Sequence, residues 1–229
     1  RGPAADRVCA RPSGPAGLAG RALVGPLGPA DAGRRRIIAA MKLVILDRDG
    51  TICVEREGYL QSPADWEPLP GALEAIAQLN QAGWQVVIAA NMPGLGRGLF
   101  DMAALNAIQA RMHKQLAAVG GKVDAMFFCP HTADEACSCR KPLPGLFQQI
   151  GERYRVDLRQ VHAVGDSERD MQAAHAAGCV PHLVLTGLHA PSHTDPLPPA
   201  YPPGTRVHAD LAAFASALVG APDAAPGPA

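Results

Sequence analysis

Along residues 41–220 of this 229-residue chain, short apolar runs alternate with stretches whose apolar residues recur at helical spacing. Lys42–Leu46 (KLVIL) is apolar at successive positions rather than alternate ones, the pattern of a strand covered on both faces. Pro70 and Gly71 open a helical stretch to about Gln81, with Leu73, Ile76, Ala77 and Leu79 on one side. Gln85–Ala90 reads as a second strand. Asp101 can cap a helix running to about Val119, in which Leu105, Ile108 and Met112 share a face. Ala125–Phe128 reads as a strand, Pro144–Tyr154 as a helix and His162–Gly165 as a fourth strand. A helix follows over Glu168–Ala177, closed by Gly178, then a strand over His182–Thr186 and a last helix over Asp210–Val219. This alternation predicts an α/β, Rossmann-like three-layer fold with a mostly parallel sheet. In such sheets the ligand lies beyond the carboxyl ends of the strands. The insert between Asp49 and Ala90 holds one helix and a loop, too short for a large cap domain, so selectivity falls to loops on the core.

The ends of the chain read differently. Residues 1–40 are rich in Gly, Pro, Ala and Arg and show neither period. Such a segment buries too little apolar surface to offset its ordering entropy and is expected to be a disordered head. It is either native or an extension upstream of a natural start at Met41. A tail over 221–229 is expected to be disordered as well, leaving one domain over 41–220. The formal net charge of zero hides an asymmetry. Seven arginines and two aspartates give the head +5, and 14 basic and 19 acidic side chains give the rest −5. An acidic body argues against nucleic-acid binding. No apolar run is long enough to span a bilayer, so no membrane partner is expected. No signal peptide is visible. Cysteines gathered in one loop suggest metal rather than disulfides, hence a reducing, cytoplasmic setting.

Two acidic clusters carry the chemistry. Asp47-Arg48-Asp49-Gly50-Thr51 follows directly on the first strand, and Gly165-Asp166-Ser167-Glu168-Arg169-Asp170 follows the fourth. Both should meet at one edge of the sheet. Carboxylate oxygens suit a hard cation such as Mg²⁺, which also bridges to phosphate. The plainer alternative is a turn and two helix caps, with Asp170 a solvated helix residue. A further cluster, Cys129-Pro130-His131 with Cys137-Ser138-Cys139, offers three thiolates and an imidazole within one loop. That is a closed tetrahedral set for Zn²⁺, architectural because no coordination position stays open. The neighbouring Arg140 and Lys141 would then be pinned beside the acidic clusters. His113, His175 and Cys179 read as edge or core residues, Cys9 falls in the head, and His189 and His193 sit in a Pro-rich loop.

Asp47–Thr51, Lys141 and Gly165-Asp166 resemble the motifs of the haloacid dehalogenase superfamily of phosphotransferases. Cys-x-His, Cys-x-Cys-Arg-Lys-Pro and the Asp-Arg-Asp-Gly start together resemble the heptose-1,7-bisphosphate 7-phosphatases and their relatives, the histidinol-phosphate phosphatases. The resemblance implies that Asp47 attacks phosphorus and Asp49 serves as acid and then base. Lys141 would neutralise phosphate charge. It implies Mg²⁺ on the Asp47 and Asp166 side chains and the Asp49 backbone carbonyl. Arg140 would grip a second phosphate, and Glu55, Gly58, Tyr59, Asn91 and Ser167 would contact the phosphorylated sugar. Two departures stand out. Ala90 occupies the position where the superfamily has Ser or Thr, and Cys53 occupies one where this family usually has Asn. A lost hydroxyl donor to a charged oxygen costs about 1.5–3 kcal/mol. The expectation is a monomeric enzyme releasing the 7-phosphate. The rivals are a phosphatase of histidinol phosphate or another small ester, and a zinc-stabilised binding protein with weakened turnover.

Overall fold

The computed structural model describes residues 41–188, 190–191, 194 and 196–221. The expectations for residues 1–40, for 222–229 and for His189 and His193 lie outside the described residues. In chain order the elements are β1 (Leu43–Leu46), α1 (Ala72–Gln81), β2 (Gln85–Asn91), α2 (Pro93–Gly96), α3 (Met102–Ala118) and β3 (Ala125–Cys129). They continue with α4 (Gly145–Tyr154), β4 (His162–Gly165), α5 (Glu168–Ala177), β5 (Val180–Val184), β6 (Arg206–His208) and α6 (Leu211–Gly220).

The strands form one sheet in the order β3-β2-β1-β4-β5-β6, and every pairing is parallel. Strand side chains alternate between two apolar layers, because successive residues point to opposite faces. Val44, Leu46, Ile88 and Val164 share one layer with residues of α1, α3 and α6, including Ile76, Ile108 and Phe214. Leu43, Ile45, Val87 and Ala163 share the other with residues of α4 and α5, including Phe147 and Ala173. All four residues of β1 are buried, which makes it the centre of this three-layer sandwich.

The order of strands fixes where a ligand can sit. The chain winds outward from β1 through β2 to β3, then returns to place β4 on the other side of β1. The loops leaving β1 and β4 therefore diverge over adjacent strands, opening the crevice expected at a reversal of strand order. Between Asp49 and α1 the only helical turn is the 3₁₀ segment Pro63–Asp65, so among the described residues no second domain covers this edge. Among the described residues no helix is long and apolar enough to cross a membrane.

Three local readings change. The fifth strand spans Val180–Val184 rather than His182–Thr186, with Pro181 inside it. Proline removes a ladder donor, which is why the sequence argues for a later start. The edge strand β6 has only three residues and carries no periodic signal. Helix α2, four residues long, reads as loop from its sequence.

Candidate active site

Asp47 is the first residue past β1, and its N–H donates to the Val164 carbonyl of β4 at 2.8 Å. Asp166 is the first residue past β4. Both acidic turns therefore stand side by side at the carboxyl edge of the sheet. The side-chain oxygens of Asp47, Asp166 and Asp170 come within 4.8 Å of one another. The sequence leaves Asp170 between a supporting role and a solvated one. In the structure it is buried at 5% exposure, and its Oδ1 lies 2.5 Å from the Lys141 ammonium.

Lys141 arrives from the opposite side, on the loop that follows β3. Its Nζ donates to Asp47 Oδ1 at 2.7 Å and to the Ala89 carbonyl at 2.8 Å. Burial alone would lower its pKa, but Asp170 and Asp47 outweigh burial and hold the ammonium above the ordinary lysine range. The carboxylates move the other way. Burial raises Asp47 to about 7, opposed by Lys141 and reinforced by Asp170 and Asp49. Burial raises Asp166 to about 9, with Asp170, Asp47 and Glu55 adding to the effect. With all three carboxylates ionised against one ammonium the buried site would carry a formal −2, which a divalent cation would balance.

The backbone makes room for the Asp166 carboxylate. A side chain on Gly50 would collide with the Asp166 carboxylate, and so would one on Gly187. Gly50 also holds a φ of 77°, the left-handed turn a side chain disfavours. The Thr186 hydroxyl donates to the Gly50 carbonyl at 2.6 Å, tying this turn to the segment after β5. An acidic donor set at the mouth of a cradle that excludes Cβ atoms fits a hard cation.

Asp49 faces a different partner. The buried Arg48 donates from Nε to Asp49 Oδ1 at 2.8 Å and from Nη2 to Oδ2 at 2.7 Å. The Cys53 thiol also points at Asp49 Oδ1, at 3.3 Å. Nothing in the sequence marks Arg48, which looks like an ordinary charge between two acids. Its burial to 3% exposure depends on tertiary packing.

The expected substrate contacts divide. Glu55, Tyr59, Asn91, Arg140 and Ser167 all line the cleft in front of Asp47. Gly58 does not. Its φ of 89° turns the chain so that Tyr59, itself at 69°, can pack on Gly94. Glu55 Oε2 accepts from the Leu188 N–H at 3.3 Å. The Ser167 hydroxyl donates to Asp170 Oδ2 at 2.6 Å and its N–H to the same oxygen at 3.1 Å, and Ser167, not Asp166, is the N-cap of α5. Both ends of the Asn91 amide bond the backbone of Lys141. Two further cations line the cleft, Arg56 and Arg169. Arg56 is committed to Glu67 at 2.7 Å, whereas Arg169 stands exposed on the first turn of α5. Ala90 is buried in the apolar layer and presents no hydroxyl.

The cysteine loop closes behind Lys141. Cys129 Sγ lies 3.2 Å from Cys139 Sγ, 3.8 Å from Cys137 Sγ and 3.3 Å from His131 Nδ1. Zinc–sulfur bonds of about 2.3 Å imply sulfur separations of about 3.8 Å in a tetrahedron, so this group needs little adjustment to hold one ion. Arg140 donates from Nη1 to the His131 carbonyl at 3.1 Å, joining the loop to the cleft.

A family model described as HAD-hydrolase-like matches residues 138–214. A D-glycero-beta-D-manno-heptose-1,7-bisphosphate 7-phosphatase of Bordetella bronchiseptica is 54% identical over 78% of this chain and 98% of that protein. The enzyme of the same name from Pseudomonas aeruginosa is 47% identical over 77% of this chain and 97% of that protein. A crystal structure of D,D-heptose 1,7-bisphosphate phosphatase from B. bronchiseptica, complexed with magnesium and phosphate, superposes with a TM-score of 0.75. It covers 79% of this chain and 99% of its own at 54% identity.

Proposed function

The chain belongs to the heptose-1,7-bisphosphate 7-phosphatase family of the haloacid dehalogenase superfamily, and from that premise we propose that it removes the 7-phosphate of D-glycero-β-D-manno-heptose 1,7-bisphosphate. The observation that carries the reading is the contact of Asp47 with Lys141 beside Asp166 and Asp170, at the reversal point of the sheet.

Asp47 is the nucleophile. One of its oxygens is bonded to Lys141, and its carboxylate stands at the open edge with 14% of its side chain exposed. Attack on phosphorus forms an aspartyl phosphate and breaks the bond to the sugar oxygen, which takes a proton from Asp49. Asp49 then removes a proton from the water that hydrolyses the acyl phosphate. Two anions approach each other in the first step, so cations must offset the repulsion. Lys141 supplies one positive charge. Asp47, Asp166 and the Asp49 carbonyl, with Asp170 beside them, would hold Mg²⁺, which when bound would supply Lewis acidity at the phosphoryl oxygens. Arg140 lines the same cleft and would take the phosphate that is not cleaved, since a guanidinium grips phosphate bidentately. Glu55, Tyr59 and Ser167 stand where they would meet the sugar.

Zn²⁺ in the Cys129, His131, Cys137 and Cys139 set would hold the loop that carries Arg140 and Lys141. The enzyme would act as a monomer in the cytoplasm, the reducing setting that suits free thiols gathered in a metal-ligand set.

The test is phosphate release from the heptose 1,7-bisphosphate and from histidinol phosphate, with and without Mg²⁺. Mg²⁺-dependent release from the heptose at the higher kcat/KM supports the proposal. Preference for histidinol phosphate would reject the sugar reading, and turnover of neither would favour a binding role.

A further inference from the structure

We infer that Asn91 acts as a positioning residue, fixing the catalytic Lys141 to the end of β2 rather than gripping the sugar phosphate. The inference rests on the phosphoryl-transfer reading above and assigns a role within the same site.

Asn91 ends β2. Its Oδ1 accepts from the Lys141 N–H at 3.0 Å, and its Nδ2 donates to the Lys141 carbonyl at 3.0 Å. The two bonds close a reciprocal clamp between residues 50 positions apart. Two residues earlier on the same strand, the Ala89 carbonyl accepts from Lys141 Nζ at 2.8 Å. The end of β2 therefore holds Lys141 at both ends, by its backbone through Asn91 and by its ammonium through Ala89.

The chemistry needs this. Lys141 leaves a loop without regular structure, on a side chain with about 2 kcal/mol of rotamer entropy. Its ammonium must nevertheless meet Asp47 at 2.7 Å and Asp170 at 2.5 Å while only 3% exposed. A backbone anchored to the same sheet that carries Asp47 removes the main freedom by which that geometry could drift, and small misplacements cost rate steeply. Asparagine suits the clamp because its short amide carries a donor and an acceptor side by side, as a peptide group does. The register adds a second tie. Asn91 pairs with Cys129 in β3, and the Met92 N–H donates to the Cys129 carbonyl at 2.7 Å. The strand end that bears the amide is thus tied to the base of the cysteine loop.

The roles separate in kinetics. If Asn91 positions Lys141, Asn91→Ala lowers kcat on every phosphomonoester by the same factor, roughly ten- to hundred-fold for two lost bonds. KM for the sugar then stays near the wild-type value. If Asn91 contacts the sugar phosphate, KM for the heptose bisphosphate rises and p-nitrophenyl phosphate, which has no sugar, is spared. Measuring kcat and KM on both substrates, alongside a thermal melt, decides between them. A loss confined to the heptose, or an unchanged kcat on p-nitrophenyl phosphate, overturns the inference. Should Asn91→Ala fail to melt cooperatively, Asn91→Ser is read by the same two substrates. A wild-type enzyme that cleaves p-nitrophenyl phosphate but not the heptose bisphosphate would sink the substrate proposal. The kcat comparison on p-nitrophenyl phosphate would still decide the role of Asn91.

Discussion

Replacing Asp170 with asparagine keeps the size of a buried side chain and deletes one charge from the cluster. Asp170 uses its two oxygens for different tasks. Oδ1 faces Lys141 Nζ at 2.5 Å, and Oδ2 accepts from the Ser167 N–H at 3.1 Å and the Ser167 hydroxyl at 2.6 Å. An amide has one oxygen. Whichever way it turns, its NH₂ group faces a donor, either the Lys141 ammonium or the Ser167 N–H. One buried donor is left unsatisfied, at about 1–3 kcal/mol. The charge of the site also changes. Asp47, Asp166 and Asp170 against Lys141 give −2 when fully ionised, and the variant gives −1. Changing a group that supports metal ligands weakens metal binding by about 10- to 100-fold, or about 1.4–2.7 kcal/mol. Asp170→Asn should therefore lower the unfolding free energy of the metal-free protein by about 1–3 kcal/mol. It should raise the Mg²⁺ dissociation constant by about 10- to 100-fold. Titration calorimetry with Mg²⁺ and a denaturant melt in EDTA measure the two effects separately. An unchanged Mg²⁺ affinity would refute the charge-balance reasoning.

The other predictions concern separate parts of the molecule. Ala90→Thr should raise kcat by roughly ten- to hundred-fold if the missing hydroxyl limits the rate; an unchanged kcat in steady-state assays would mean that backbone N–H groups already supply that contact. Stripping metal from the Cys129–Cys139 loop should lower the melting temperature and expose the loop to protease, and metal analysis before stripping should find about one zinc per chain. A third prediction follows from a histidine chain away from the cleft, in which His182 Nε2 and Nδ1 lie 2.9 Å from His162 and His208 nitrogens respectively. Burial, with the neighbouring His162, His208 and Arg206, lowers His182 to about 2, so the folded protein keeps it neutral while the unfolded chain binds a proton below about pH 6.5. Stability is thus lost as pH falls, by about 2 kcal/mol at pH 5 for this residue. The stability gap between wild type and His182→Gln should shrink by that amount from pH 8 to pH 5 in denaturant titrations, and a constant gap would reject the assignment.

How much of this the sequence reveals depends on whether a group's role is local. Lys42–Leu46 and Gln85–Ala90 announce buried strands by composition alone, and the acids that follow β1 and β4 fall at the carboxyl edge by topology. Cys129, His131, Cys137 and Cys139 lie within one loop, so their spacing alone reveals that they cluster. Asp170, Arg48 and Asn91 escape because their partners are tertiary or depend on burial. The long stretch of chain between Lys141 and Asp170 carries no sign that the two charges meet. Arg48 looks solvated until packing buries it against Asp49. Asn91 reads as a substrate contact, and its bonds to the Lys141 backbone come into view only when the loop after β3 folds back onto it. The edge strand β6 is missed for a related reason, since three residues with one charge hold no period and pair only because β5 offers an open edge.

The nucleophile is tested most directly by trapping the acyl phosphate. During turnover of the heptose 1,7-bisphosphate with Mg²⁺, borohydride should reduce an aspartyl phosphate to homoserine, and mass spectrometry of the tryptic peptide Leu43–Arg48 should find it at position 47. The modification should be absent without substrate and absent in Asp47→Asn. Homoserine at Asp49 or Asp166 instead, or steady phosphate release from Asp47→Asn at the wild-type rate, would contradict the assignment.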